Sequence, residues 1–269
     1  ALPIYFATTA DNRSSTRTFT ITVTPVNDAP TLNTLSDQTI AEDAAEQTVN
    51  LSGISAGGGE SQPLRVTASS SNTGLIPDPA VTYTSADATG SIRYKSVADL
   101  SGSATITVTV EDGGLDGDLA TSSDNLVFSR SFVVTVTAVN DVPTLDALSD
   151  LAINEDAAEQ TVNLAGITAG GGETQPLKVT ATSSATGVIP NPAVTYTSAS
   201  TTGSIRFTPV ADQSGAVTIT VTVEDGGLDG DLGTAADNAV STRSFVVTVA
   251  AVNDTPTLDS ISDTTIAED

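Results

Sequence analysis

An all-β chain built from tandem repeats is what three features of these 269 residues predict. One block of 113 residues occurs twice, with 84 of its 113 positions identical when 31–143 is laid over 144–256. Apolar residues alternate with a period of two, the spacing of a strand with one buried face. Clusters of Gly, Pro, Asp and Asn separate these alternating segments, as turns require.

The repeat sets the organisation. Val26-Asn27-Asp28 returns as Val139-Asn140-Asp141 and as Val252-Asn253-Asp254, and Glu42-Asp43 returns as Glu155-Asp156 and Glu268-Asp269. A period this long corresponds to a whole domain, whereas solenoid repeats span about 20–50 residues. The expected divisions are 1–29, the C-terminal strand of a preceding repeat; 30–142 and 143–255, two whole repeats; and 256–269, the first strand of a following one. The strand of the opening segment is expected over 18–23. Neither end can bury an apolar face by itself, so pairing with other copies in a fibre is the expectation for both.

Each element follows from its pattern. Ala104, Ile106, Val108 and Val110 share one face of a strand whose other face carries Thr105, Thr107 and Thr109. Similar signals fall at 35–40, 48–54, 64–69, 80–85, 91–95 and 128–139, and no window has a convincing 3.6-residue period. Seven short strands in about 110 residues fit an immunoglobulin-like sandwich.

Charge narrows the function. Thirty-three acidic residues against nine basic ones give a net charge of -24. Without Lys/Arg clusters there is nothing to neutralise phosphates, so nucleic acid is excluded as a partner. With Cys and His absent, no disulfide forms and no thiolate or imidazole holds a soft metal. Oxygen-seeking cations remain, calcium first. No stretch of about 18 uninterrupted apolar residues occurs, so no membrane insertion is expected in this segment. Paired carboxylates could hydrolyse glycosides, but with few aromatics and the acids duplicated at one spacing the expectation is no enzyme.

The acids lie in turns and at strand ends rather than along strands. Glu42-Asp43 and Asp99 are expected at the C-terminal end of the first repeat, and Glu173 and Glu224-Asp225 at the N-terminal end of the second. Stacking through Asn140-Asp141 would gather all of these, with no basic residue beside the motif. Two unit charges about 4 Å apart repel by about 4 kcal/mol at an effective dielectric near 20, so a cation is the available remedy. The same reasoning assigns Asn27, Asp28, Glu60, Glu111 and Asp112 to the start of the first repeat. It assigns Glu155, Asp156, Asp212, Asn253 and Asp254 to the end of the second. Asp116, Asp118 and Asp124 form a further candidate within one loop, although their spacing is not that of an EF-hand. Arg130 is expected to pair with an acid at the sandwich edge.

Val139-Asn140-Asp141-Val142-Pro143 and its copies resemble the linker of cadherins and bacterial cadherin-like repeats. Ile40-Ala41-Glu42-Asp43, Val97-Ala98-Asp99 and Val110-Glu111-Asp112-Gly113-Gly114 resemble that family's acidic motifs in the same order. The resemblance implies Ca2+ bound between consecutive domains, an array stiffened into a rod, and a place outside the cell or at its surface. Its partners would be neighbouring repeats or other copies of the chain, in a filament or in the stalk of a monomeric adhesin. One departure is clear: where the family carries an acid pair between its second and third strands, this chain has Gly57-Gly58-Gly59-Glu60.

Overall fold

The computed structural model describes residues 4–7 and 14–269. These form two compact units. The first comprises Ala1–Ile40, Ala44–Val97 and Ser101–Thr137; the second comprises Ala138–Asp269 together with two short segments, Ala41–Asp43 and Ala98–Leu100. No helix occurs among the described residues.

A short antiparallel pair, β1 (Ile4–Ala7) and β2 (Ser14–Arg17), precedes the first repeat. The first repeat contains β3 (Gln38–Ala41), β4 (Gln47–Ser52), β5 (Leu64–Ser70), β6 (Ala80–Thr82), β7 (Thr89–Tyr94), β8 (Gly102–Asp112) and β9 (Val127–Thr137). They make a four-stranded sheet ordered β3-β9-β8-β5 and a three-stranded sheet ordered β4-β7-β6. The second repeat repeats this with β10 (Leu151–Asn154), β11 (Gln160–Leu164), β12 (Leu177–Ser183), β13 (Ala193–Thr195), β14 (Gly203–Phe207), β15 (Gly215–Asp225) and β16 (Val240–Ala250). Its sheets are ordered β10-β16-β15-β12 and β11-β14-β13. β10 runs parallel to β16, pairing Leu151 with Val247, while the other registered pairs are antiparallel.

Alternation along the long strands builds the cores. Ile106, Val108 and Val110 are fully buried and pack with Phe132, Val134 and Ile92. Their counterparts Ile219, Val221 and Val223 pack with Phe245, Val247 and Ile205. On the opposite face of β8, hydroxyl pairs join Thr107 to Ser131 at 2.9 Å and Thr109 to Ser129 at 2.8 Å. Arg130 does not meet an acid: its guanidinium stacks over Phe128, 4.8 Å from the ring centroid. This favours cation–π attraction over an exposed ion pair of little net worth.

The two ends differ from expectation. No strand forms over 18–23, where Phe19, Ile21 and Val23 are 57%, 73% and 85% exposed. Their equivalents one period on, Phe132, Val134 and Val136, are at most 2% exposed. Nor is there a strand in 257–269, where Leu258, Ile261 and Ile266 are exposed. The physical reason is the same at both places. Among the described residues no strand pairs with either segment and no sheet covers its side chains, and a strand alone is not stable in water.

Candidate metal centre

The strands end in acidic turns, and in the second unit these turns converge on Asp141. Carboxylate oxygens of Glu42, Asp141 and Glu173 lie within 4.8 Å of one another, and so do those of Asp43, Asp99 and Asp141. Asp141 belongs to both groups. Oxygens this far apart can share an ion with metal–oxygen distances of about 2.3–2.6 Å, which suits calcium.

Local geometry fixes each member. Glu42, directly after β3, is buried and accepts a 2.8 Å hydrogen bond from Val139 N. Asp99 adopts the left-handed backbone conformation (φ 59°), as does Asp212 one period later (φ 60°). Aspartate tolerates this region better than most residues, so a tight acidic turn can form before β8 and β15. Glu173 Oε2 accepts from Asp141 N at 3.1 Å. Gly171, with φ 41°, leaves room for the Asp141 carboxylate: a β-carbon there would overlap Asp141 Oδ2. The glycine run at the position of the family's acid pair therefore serves a close approach of carboxylate to backbone.

Electrostatics agree with the crowding. Desolvation, followed by the charges of Asp99, Glu173, Asp43 and Glu42, raises the Asp141 pKa above the ordinary aspartate value. Its Oδ2 is buried with no hydrogen-bond partner. An orphaned carboxylate oxygen amid four other acids, all hard donors, fits a calcium ion.

Other expected ligands stand apart from this group. Asn140 donates through Nδ2 to Asp225 Oδ1 (3.1 Å) and to the Asp237 carbonyl (2.9 Å), and its Oδ1 accepts from Gln175 (2.6 Å). Its amide acts as a clamp on the end of β15. Glu224 pairs with Lys178 at 3.2 Å, so a basic residue does reach one of the acids expected at the motif. At the start of the first repeat the same pattern recurs. Asn27 bonds Asp112 and the Asp124 carbonyl, Glu60 accepts from Asp28 N at 3.2 Å, and Glu111 pairs with Arg65. At the end of the second repeat, Glu155 accepts from Val252 N at 2.8 Å. Desolvation, then Asp212, Asp156 and Glu155, raises the Asp254 pKa. Asn253 Nδ2 donates to the Asp254 carbonyl at 3.4 Å.

The loop candidate is divided. Asp116 and Asp118 are exposed and spend oxygens on the turn: Asp116 accepts from Asp118 N (2.9 Å) and the Thr121 hydroxyl (2.7 Å), and Asp118 from Ala120 N (2.8 Å). The Thr121 hydroxyl, then the Asp118 amide, lowers the Asp116 pKa. The sequence reading missed Gln62 and Gln175. Their signal was present, since each follows Glu60 or Glu173 by two residues in both repeats.

Each repeat is thus an all-β sandwich of a four-stranded and a three-stranded sheet, with acidic turns at its strand ends. No protein-family model and no curated protein matches the chain. Similar solved structures include mouse cadherin-23 EC22-24 (17% identity, 85% of this chain and 68% of that one, TM-score 0.43). Drosophila N-cadherin EC1-4 is 13% identical over 84% of this chain and 50% of that one, with a TM-score of 0.42. Human mucin-like protocadherin EC1-2 is 14% identical over 83% of this chain and 98% of that one, with a TM-score of 0.38.

Proposed function

We propose that this chain is a calcium-binding structural repeat protein of the cell exterior, with no catalytic role. Ions at Asp141 would tie the segments Ala41–Asp43 and Ala98–Leu100 to the residues that begin the second repeat. The supporting observation is the group of five acids around Asp141, whose Oδ2 is buried with no hydrogen-bond partner. A divalent cation would offset the mutual repulsion of these carboxylates and hold the segments together. The array would serve as a fibre in which 18–23 and 257–269, whose apolar side chains are exposed in the single chain, pair with further copies; the second reading is a stalk that carries another domain outward.

Calorimetric titration of the full chain with CaCl2 tests the calcium reading. Binding is expected to weaken at least tenfold in Asp141→Asn. A parent chain with no binding heat and no calcium-dependent rise in melting temperature would overturn it.

A further inference from the structure

Buried side-chain oxygens without a hydrogen-bond partner also recur at matching positions of the two repeats. In the first repeat they are Asp112 Oδ2, Asp124 Oδ1, Gln62 Oε1 and Asn125 Oδ1. In the second they are Asp225 Oδ2, Asp237 Oδ1, Gln175 Oε1 and Asn238 Oδ1. Each atom of the second set is its counterpart in the first, one period along the sequence.

The two carboxylates of a set are neighbours. Asp112, 0% exposed, takes three donors on Oδ1: Gly114 N (3.0 Å), Leu126 N (2.9 Å) and Asn27 Nδ2 (3.1 Å). Its Oδ2 receives none. Asp124 accepts from the next amide, Leu115 N, at 2.7 Å on Oδ2, and its carbonyl accepts from the same Asn27 nitrogen at 2.8 Å. Asp225 and Asp237 repeat this around Gly227, Leu228 and Asn140. Gly114, in the left-handed conformation (φ +59°), makes the approach possible, because a β-carbon there would stand 2.5 Å from Asp124 Oδ1.

The bare oxygens lack a compensating charge. Arg65 is drawn to Glu111 and Lys178 to Glu224, and no basic residue pairs with Asp112, Asp124, Asp225 or Asp237 among the described residues. A fully buried carboxylate with one oxygen unsatisfied is unfavourable in a low-dielectric interior, and uncharged water cannot cancel its charge. The four free oxygens of each set are hard donors, two of them from carboxylates, a set that suits calcium and does not suit a soft metal.

We propose that each repeat holds a calcium ion of its own, bound by Asp112 and Asp124 in the first repeat and by Asp225 and Asp237 in the second. Gln62 and Asn125, or Gln175 and Asn238, complete the protein donors. The ion closes the loop between β8 and β9, or between β15 and β16, onto the strand end. None of these residues belongs to the Asp141 group.

The test is calcium titration of the full chain with two variants, Asp124→Asn combined with Asp237→Asn, and Asp141→Asn. The double variant is expected to bind two fewer ions per chain while keeping the transition that Asp141→Asn removes. Unchanged stoichiometry in the double variant overturns this proposal and leaves the Asp141 reading standing; loss of ions in the double variant alone does the reverse. Should the double variant fail to fold, crystals of the unmodified chain soaked in terbium chloride decide. An anomalous peak between Asp112 Oδ2 and Asp124 Oδ1 supports the site, and its absence there and at the second copy overturns it.

Discussion

Glu42 accepts a hydrogen bond from the backbone amide of Val139 at 2.8 Å, across 97 positions of sequence. Glu155 does the same for Val252, also at 2.8 Å. One carboxylate thus positions the chain immediately before Asn140-Asp141 and another before Asn253-Asp254, and Glu42 also belongs to the Asp141 group.

Glu42→Gln separates those roles. The amide oxygen of Gln still accepts from Val139 N, so the calcium-free melting temperature is expected to stay within a few degrees of the parent. Loss of the charge is expected to weaken calcium binding by about tenfold or more, the scale of losses when a metal site is perturbed. Calorimetry with and without calcium reads both.

Proton competition follows from the raised pKa of Asp141. Without calcium, ionisation of Asp141 is less favourable in the folded chain than in the unfolded one. Its contribution to stability therefore falls as pH rises from the ordinary aspartate range through the raised pKa, and returns on acidification. With calcium the dependence inverts, because the ion needs the carboxylate, so affinity falls as pH drops through the same window. Melting curves across pH 3–7 (about the range of the titration), with calcium or with chelator, check the opposite slopes.

Gly171→Ala and Gly172→Ala form a matched pair. Both positions have positive φ, 41° and 75°, so both substitutions strain the backbone by about 1 kcal/mol or more. Only at Gly171 would the new β-carbon overlap the Asp141 carboxylate; nothing lies within 4 Å at Gly172. Calcium affinity is expected to fall in Gly171→Ala and to persist in Gly172→Ala. Equal losses would show that strain alone is responsible.

Phe132→Ala and Phe19→Ala compare one repeat position in two surroundings. Phe132 is 2% exposed and Phe19 57%. Truncating a buried Phe costs about 3–5 kcal/mol, so Phe132→Ala is expected to lower the urea midpoint strongly. Phe19→Ala is expected to leave it nearly unchanged.

The sequence by itself determined the repeat, the all-β class and the strands of the two whole repeats, because a two-residue apolar period and turn-forming clusters act locally. It also determined that any metal ligands are oxygens, since residue types alone decide that. Tertiary structure decided which acids meet. Glu42, Asp43, Asp99, Asp141 and Glu173 converge, whereas Glu224 turns to Lys178 and Asn140 becomes a clamp on Asp225. Those outcomes depend on side-chain direction at strand ends, where no periodicity constrains it. Tertiary structure also decided the fate of 18–23 and 257–269. Their apolar residues carry the pattern of strands, yet a strand forms only where neighbouring backbone satisfies its amides and carbonyls and a second sheet covers its side chains.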